Sequence, residues 1–239
     1  MVRWARGRGT LDSNHTDGMS KPTETTEREP VLSDDEIRTM WTALAKADMR
    51  ESTRRILRLC LMTAQRVGEV SGMTRAELDL EKSLWTIPPA RSKNKREHVV
   101  PLSDMALDII RKQIAEVDAL AKQKGRAAPQ WIFPGPGARA AVTAPSVPKA
   151  VARCEWEIEH WTPHDLRRTA ATGMEGAGVS PFIVGHVLNH VSATKATVTS
   201  RVYARYAYEA EKREALTTWA GKLADILSGA KVVPLRAAG

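Results

Sequence analysis

Pro163-His164-Asp165-Leu166-Arg167-Arg168-Thr169 opens a helix, because proline suits the first helical turn, where its missing N–H costs nothing. The exposed N–H groups and positive dipole end of such a turn favour a bound phosphate. His164 and Arg167 stand three residues apart and so share a face. Arginine suits that face: its planar fork bonds two phosphate oxygens at once and never loses its charge. Gly176 and Gly178 mark the far end of this helix.

The remaining chain is mostly helical. Ser33-Asp34-Asp35-Glu36 is a capping box leading into the periodic Ile37, Met40, Trp41 and Leu44, with a helix to about Lys46. Ile56, Leu57, Leu59, Cys60, Leu61 and Met62 form a strongly apolar core helix ending near Arg66, and a short turn through Glu69, Val70 and Gly72 follows. From Leu84 to Leu102 two short β-prone runs flank the basic RSKNKRE, which predicts a hairpin with a charged tip. Ser103 starts a helix to about Gln123, glycine and proline dominate from Gly125 to Pro148, and Pro145 suits another helix start. The fold class is therefore mainly α with a small antiparallel β-sheet (α+β). Residues 1–30 are polar, end at Pro30 and read as a disordered leader, which leaves 31–239 as one domain without internal repeats.

Composition narrows the function. The net charge is +8, and residues 1–30 hold five basic and five acidic side chains, so the excess belongs wholly to residues 31–239. A polyanionic partner, nucleic acid first, is expected. With only Cys60 and Cys154 there is no disulfide framework and no cysteine-based zinc site, which fits a reducing cytoplasm. The Arg-rich opening is not followed by an apolar run, and no stretch approaches the roughly 18 apolar residues of a membrane span, so neither secretion nor membrane insertion is expected.

His164-Asp165-Leu166-Arg167-Arg168-Thr169 resembles the His-x-x-Arg motif of the tyrosine recombinases, the phage integrase family. Thr63-Ala64-Gln65-Arg66-Val67-Gly68-Glu69 resembles the family's first motif, an Arg followed three residues later by an acid, with Ala64 where the family usually has Gly. The hairpin resembles the one that carries the family's lysine ahead of a Val-Pro-Leu strand; Lys93 matches better than Lys95. Leu188-Asn189-His190 resembles Leu-Gly-His, with an Asn that still permits a helix end at positive φ. Arg201-Val202-Tyr203-Ala204-Arg205-Tyr206 resembles the nucleophile segment, and Tyr203, following a β-branched residue, is preferred to Tyr206 and Tyr208. The similarity spans about residues 31–225 in order.

The resemblance implies the tyrosine recombinase catalytic-domain fold and a site of Arg66, Lys93, His164, Arg167, His190 and Tyr203. It implies a site-specific recombinase or integrase acting on double-stranded DNA through a 3′-phosphotyrosyl intermediate, as a tetramer, without metal or cofactor, among accessory DNA-bending proteins at the nucleoid. A non-catalytic DNA-binding remnant and a type IB topoisomerase-like nicking-closing enzyme stand as alternatives. The family places a helical core-binding domain before the catalytic one; residues 1–30 are too few to form it, so that domain is expected to be absent, and Met19 is a possible start.

Each residue also has an ordinary reading. Arg66 and Glu69 could be a helix-end ion pair, and Arg91, Lys93, Lys95 and Arg96 a solvated hairpin tip. His186 and His190, like His160 and His164, are four apart, yet HVLNH lacks the glutamate of a zinc hydrolase motif and Pro163 interrupts the other pair. His186 is expected to pack or to face solvent, and Trp41, Trp85, Trp131, Trp156, Trp161 and Trp219 to pack. The helix around Trp219, Leu223 and Ile226 has a larger apolar face than a free tail needs and is expected to dock onto a neighbouring subunit.

Overall fold

In the computed structural model, which describes residues 7–8, 30–190 and 208–229, the chain folds around one helix that is buried over most of its surface. This is α2 (Glu51–Thr63), and Ile56, Leu57, Leu59, Cys60, Leu61 and Met62 are each no more than 2% exposed. Burying each large aliphatic side chain contributes about 1.5–3 kcal/mol, so this helix anchors the core. Before it, α1 (Asp34–Lys46) begins at the predicted capping box: the Ser33 N–H and hydroxyl both donate to the Glu36 carboxylate at 2.8 Å, and the Glu36 N–H donates back to Ser33 Oγ at 3.3 Å.

After α3 (Val67–Ser71) the predicted hairpin forms from β2 (Leu84–Ile87) and β3 (His98–Pro101), with Trp85 opposite Val100 and Ile87 opposite His98. All four of those side chains are buried on the inner face. A third strand that the sequence does not announce, β1 (Leu78–Asp79), pairs antiparallel with β2 and completes a sheet of order β1-β2-β3. The long α4 (Asp104–Gln123) follows, capped by Ser103 as expected, and is tied to α2 where Arg55 donates to Glu116 Oε1 and Oε2 at 2.5 and 2.7 Å.

Among the described residues four more α-helices follow, α5 (Ser146–Val151), α6 (Pro163–Gly176), α7 (Pro181–Val187) and α8 (Glu209–Ser228). α6 packs along α2, and α7 and α8 close over them. Gly178, with φ 88°, ends α6 in the left-handed conformation that predicts glycine there.

The expectation that α8 docks onto a neighbour does not hold for its apolar face. Trp219, Leu223 and Ile226 are at most 3% exposed within the chain itself, because α8 packs against α1, α2, α6, α7 and β3. The Trp219 indole N–H donates to the Leu61 carbonyl at 2.8 Å, which seats the ring in the core. Among the described residues no helix is long and apolar enough to cross a membrane.

Candidate active site

The break between α2 and α3 sets the first part of the site. Ala64 takes φ 55°, a left-handed conformation that stops α2 and turns the chain toward Arg66. Glu69, 4% exposed, then holds Arg66 twice: it accepts from the Arg66 backbone N–H at 3.0 Å and from Nη1 at 3.1 Å. The ion pair of the ordinary reading is thus present, and it orients Arg66 rather than hiding it.

α6 supplies the second part. Its first turn is stapled by Asp165, which accepts from the Thr162 N–H at 2.7 Å and from the Thr162 hydroxyl at 2.8 Å. Arg167, 3% exposed, reaches from this helix to the carbonyls of Ala64, at 2.5 Å, and Leu188. Two of its five N–H groups are spent on anchoring, so the guanidinium plane is fixed by three separate segments of chain. Burial, with the Arg66 cation beside it, draws its pKa down to about 10, so it remains charged at neutral pH.

His190 follows α7 through a Schellman ending: the His190 N–H donates to Gly185 O at 2.9 Å and the Asn189 N–H to His186 O at 3.1 Å, with Asn189 at φ 50° as its sequence position predicts. Lys93 comes from the hairpin tip, where the Lys95 N–H donates to Ser92 O at 3.1 Å and makes Lys93 a central residue of the turn.

These parts meet. Arg66, Lys93, His164 and Arg167, with Gln65, Val67, Ala144, Pro148, Thr162 and Pro163, line one cleft of about 400 Å³. Lys95 is not among its walls. His190 stands beside the same group: burial first, and then the charges of Arg167, Arg66, His164 and Lys93, hold its pKa below the ordinary histidine value. His164 is lowered by burial, then by Arg168 and Arg167. Four of the six residues expected from the sequence therefore line one space, and a fifth, His190, lies within electrostatic reach of all four. Tyr203, with Tyr206, lies outside the described residues.

Tyr208, the third candidate, caps α8 at φ 49° and packs its ring 4.3 Å from His186 and 5.3 Å from Phe182, centroid to centroid. His186 thus packs, as expected. Trp85, Trp161 and Trp219 are buried as expected of packing residues, while Trp41 lies under the Arg58 guanidinium, 4.9 Å from the ring centroid.

Sequence reasoning missed a shell of buried polar groups around the cleft. Gln65, 1% exposed, donates from Nε2 to Val187 O at 2.9 Å, tying the Arg66 segment to the end of α7. His98 Nε2 donates to the same carbonyl at 3.1 Å. Arg91 donates to Glu77 at 2.7 and 2.9 Å and to Glu69 O at 2.9 Å, which joins the base of the hairpin tip to α3. A chemical signal existed only for Asn94 and Asn189, amides flanking two motif residues. Among the described residues no cluster of His, Cys, Asp and Glu could hold a metal ion.

The phage integrase family profile matches residues 30–210, and the chain belongs to that family. Similar curated proteins include the prophage integrase IntA of Escherichia coli K12, 26% identical over 233 residues that cover 96% of this chain and 53% of that protein. The tyrosine recombinase XerC of Corynebacterium glutamicum is 24% identical over 203 residues, covering 83% of this chain and 63% of that protein. The chain thus spans between half and two thirds of the length of these relatives. Among solved structures, the integrase from mycobacterium phage Brujita superposes with a TM-score of 0.58 at 20% identity, covering 91% of this chain and 67% of that one. A lambda integrase dimer bound to a COC' core site gives 0.57 at 20% identity, covering 82% and 69%. At these identities the structural likeness establishes the fold.

Proposed function

We propose that residues 31–239 form the catalytic unit of a site-specific DNA recombinase or integrase that breaks and rejoins double-stranded DNA through Tyr203. The observation that carries this reading is the convergence of Arg66, Lys93, His164 and Arg167 on one cleft with His190 beside it. A set of cations fixed by buried carboxylate and carbonyl partners suits a phosphodiester, whose nonbridging oxygens gain negative charge as it reacts.

In this mechanism the Tyr203 hydroxyl oxygen attacks the scissile phosphorus and gives up its proton, with His164 assisting the transfer. The bond from phosphorus to the 5′ oxygen breaks, and Lys93 donates a proton to that oxygen. Arg66 and Arg167 neutralise the nonbridging oxygens, and His190 donates a hydrogen bond to one of them. The 3′-phosphotyrosyl bond retains the energy of the broken ester, so a free 5′ hydroxyl rejoins the strand by the reverse steps without ATP. Strand exchange requires two duplexes and hence several copies of the chain, for which a tetramer is the proposed assembly. Cytoplasmic action on the nucleoid, with DNA-bending proteins as accessories, belongs to the same reading. The DNA-bound dimer and the tetramer on a Holliday junction solved for lambda integrase support it by analogy.

A suicide substrate nicked beside the scissile phosphate tests the proposal. A covalent protein–DNA adduct is expected, lost in Tyr203→Phe and kept in Tyr206→Phe and Tyr208→Phe. No adduct, or one that persists in Tyr203→Phe, overturns it.

A further inference from the structure

Asn189 stands where the resembling motif carries glycine, and its backbone at φ 50° needs nothing that glycine would not supply. Its amide is therefore an addition, and the structure uses both ends of it. Nδ2 donates to Ser92 Oγ at 3.1 Å, and Oδ1 accepts from Asn94 Nδ2 at 3.2 Å. Asn94 Nδ2 also donates to the Asn189 backbone carbonyl at 2.5 Å. Ser92 and Asn94 are the two neighbours of Lys93 in the chain, and Asn189 precedes His190.

Burial gives these bonds their weight. Ser92 is 2% exposed and Asn189 6%, so neither can exchange its partner for water without moving. Lys93, Lys95 and Arg96 are exposed, and long cationic side chains at a hairpin tip gain entropy and lose mutual repulsion by swinging outward. The three amide and hydroxyl bonds oppose that release.

We infer that Asn189 is a positioning residue that clamps both flanks of Lys93 and so keeps the lysine loop seated in the cleft. The inference rests on the proposed function for its catalytic consequence, but the clamp itself exists without DNA. It makes the placing of the proton donor depend on the residue next to His190, so that the α7 end and the hairpin tip act as one unit.

Asn189→Gly tests this with little risk to folding, because glycine fits the left-handed backbone, and it removes the Ser92 bond and one of the two Asn94 bonds; Asn94→Ala removes both Asn94 bonds and leaves the Ser92 bond in place. In DNA-free protein, trypsin is expected to nick between Arg91 and Arg96 at least about fivefold faster in both variants, with the melting temperature of the remainder little changed. Equal nicking in wild type and both variants overturns the inference. The second arm compares an ordinary phosphodiester with a 5′-bridging phosphorothiolate, whose sulfur leaves as a thiolate and needs no proton. Both variants are expected to cleave the ordinary substrate at least about tenfold more slowly, part of the roughly 10²–10⁴-fold that a positioned acid provides, and the sulfur substrate at the wild-type rate. Equal slowing of both substrates overturns the role through Lys93. Wild-type protein that forms no adduct with either substrate would instead defeat the proposed function, while the trypsin arm still decides the clamp.

Discussion

Arg167 Nη1 and the Ala64 carbonyl oxygen meet across the α2–α6 interface at 2.5 Å, and Ala64 presents that oxygen from a left-handed backbone. The last carbonyls of a helix have no partner within it. Here one of them is satisfied by the side chain that the proposed chemistry needs rigid, so the end of the core helix and the aim of the proposed phosphate-binding group are the same contact.

Lysine cannot replace this arginine. A single ammonium cannot serve both the Ala64 and Leu188 carbonyls in place of the two guanidinium nitrogens, and it lacks the planar fork that the proposed mechanism aims at two phosphate oxygens. Arg167→Lys should lower the rate of adduct formation by about 10²-fold or more. It should also destabilise the fold by about 1–3 kcal/mol through a buried carbonyl left unpaired. Single-turnover cleavage and urea unfolding measure the two effects, and a variant that loses neither would show that the anchoring is incidental.

Gly173 in α6 lies against the Trp219 ring. A Cβ added there would overlap the six-membered ring, with Cε3 and Cη2 each only 2.8 Å away. Trp219 is 1% exposed and held by Leu61, so it cannot yield. Gly→Ala inside a helix would otherwise gain about 1 kcal/mol; overpacking costs about 1–3 kcal/mol, and the ring's rigidity puts Gly173→Ala at the upper end. A net loss of stability in urea denaturation is expected, and a gain would mean that α8 can shift away from α6.

Much of this was legible from sequence because it is local. Caps at Ser33 and Ser103, the proline start of α6 and the alternation of Trp85 and Ile87 depend on neighbours a few residues away. The site's arrangement was legible only as a set of motif positions; nothing local says that Gln65 bonds Val187 or that Asn94 bonds Asn189. β1 escaped because a two-residue strand has no periodicity of its own and exists only by pairing with β2. The apolar face of α8 was read correctly as needing a partner. Its partner was misassigned, since a hydrophobic stripe carries no record of whether its own core or another chain covers it.

His98 gives the fold a pH dependence of definite sign. Burial first, then the Lys212, Arg167 and Arg66 cations, hold its pKa down at about 3 against an ordinary 6.5, while the bond to Val187 O opposes them only partly. Between those values the unfolded chain binds a proton that the native protein does not, so stability is present above pH 6.5 and is lost as pH falls toward 3. The slope is at most about 1.4 kcal/mol per pH unit. His98→Gln can keep a donor to Val187 O without titrating, so the acid limb of its stability profile should be flatter than wild type. An unchanged limb would assign the acid sensitivity elsewhere.

Salt provides the last test. The net charge of +8 resides in residues 31–239, and the proposed function assigns Arg66, Lys93 and Arg167 of the cleft to phosphates. Each neutralised phosphate releases counterions, so the logarithm of the binding constant falls with the logarithm of salt at a slope of about −0.9 per contact. With roughly six contacts, DNA affinity should drop about 10³-fold between about 50 and 200 mM salt. Arg66→Ala should reduce the slope by about 1 while weakening all duplexes alike, because a phosphate contact reads no sequence. Fluorescence anisotropy across a salt series measures both. A slope near zero, or an Arg66→Ala protein with the wild-type slope, would remove the phosphate from the cleft and the proposed chemistry with it.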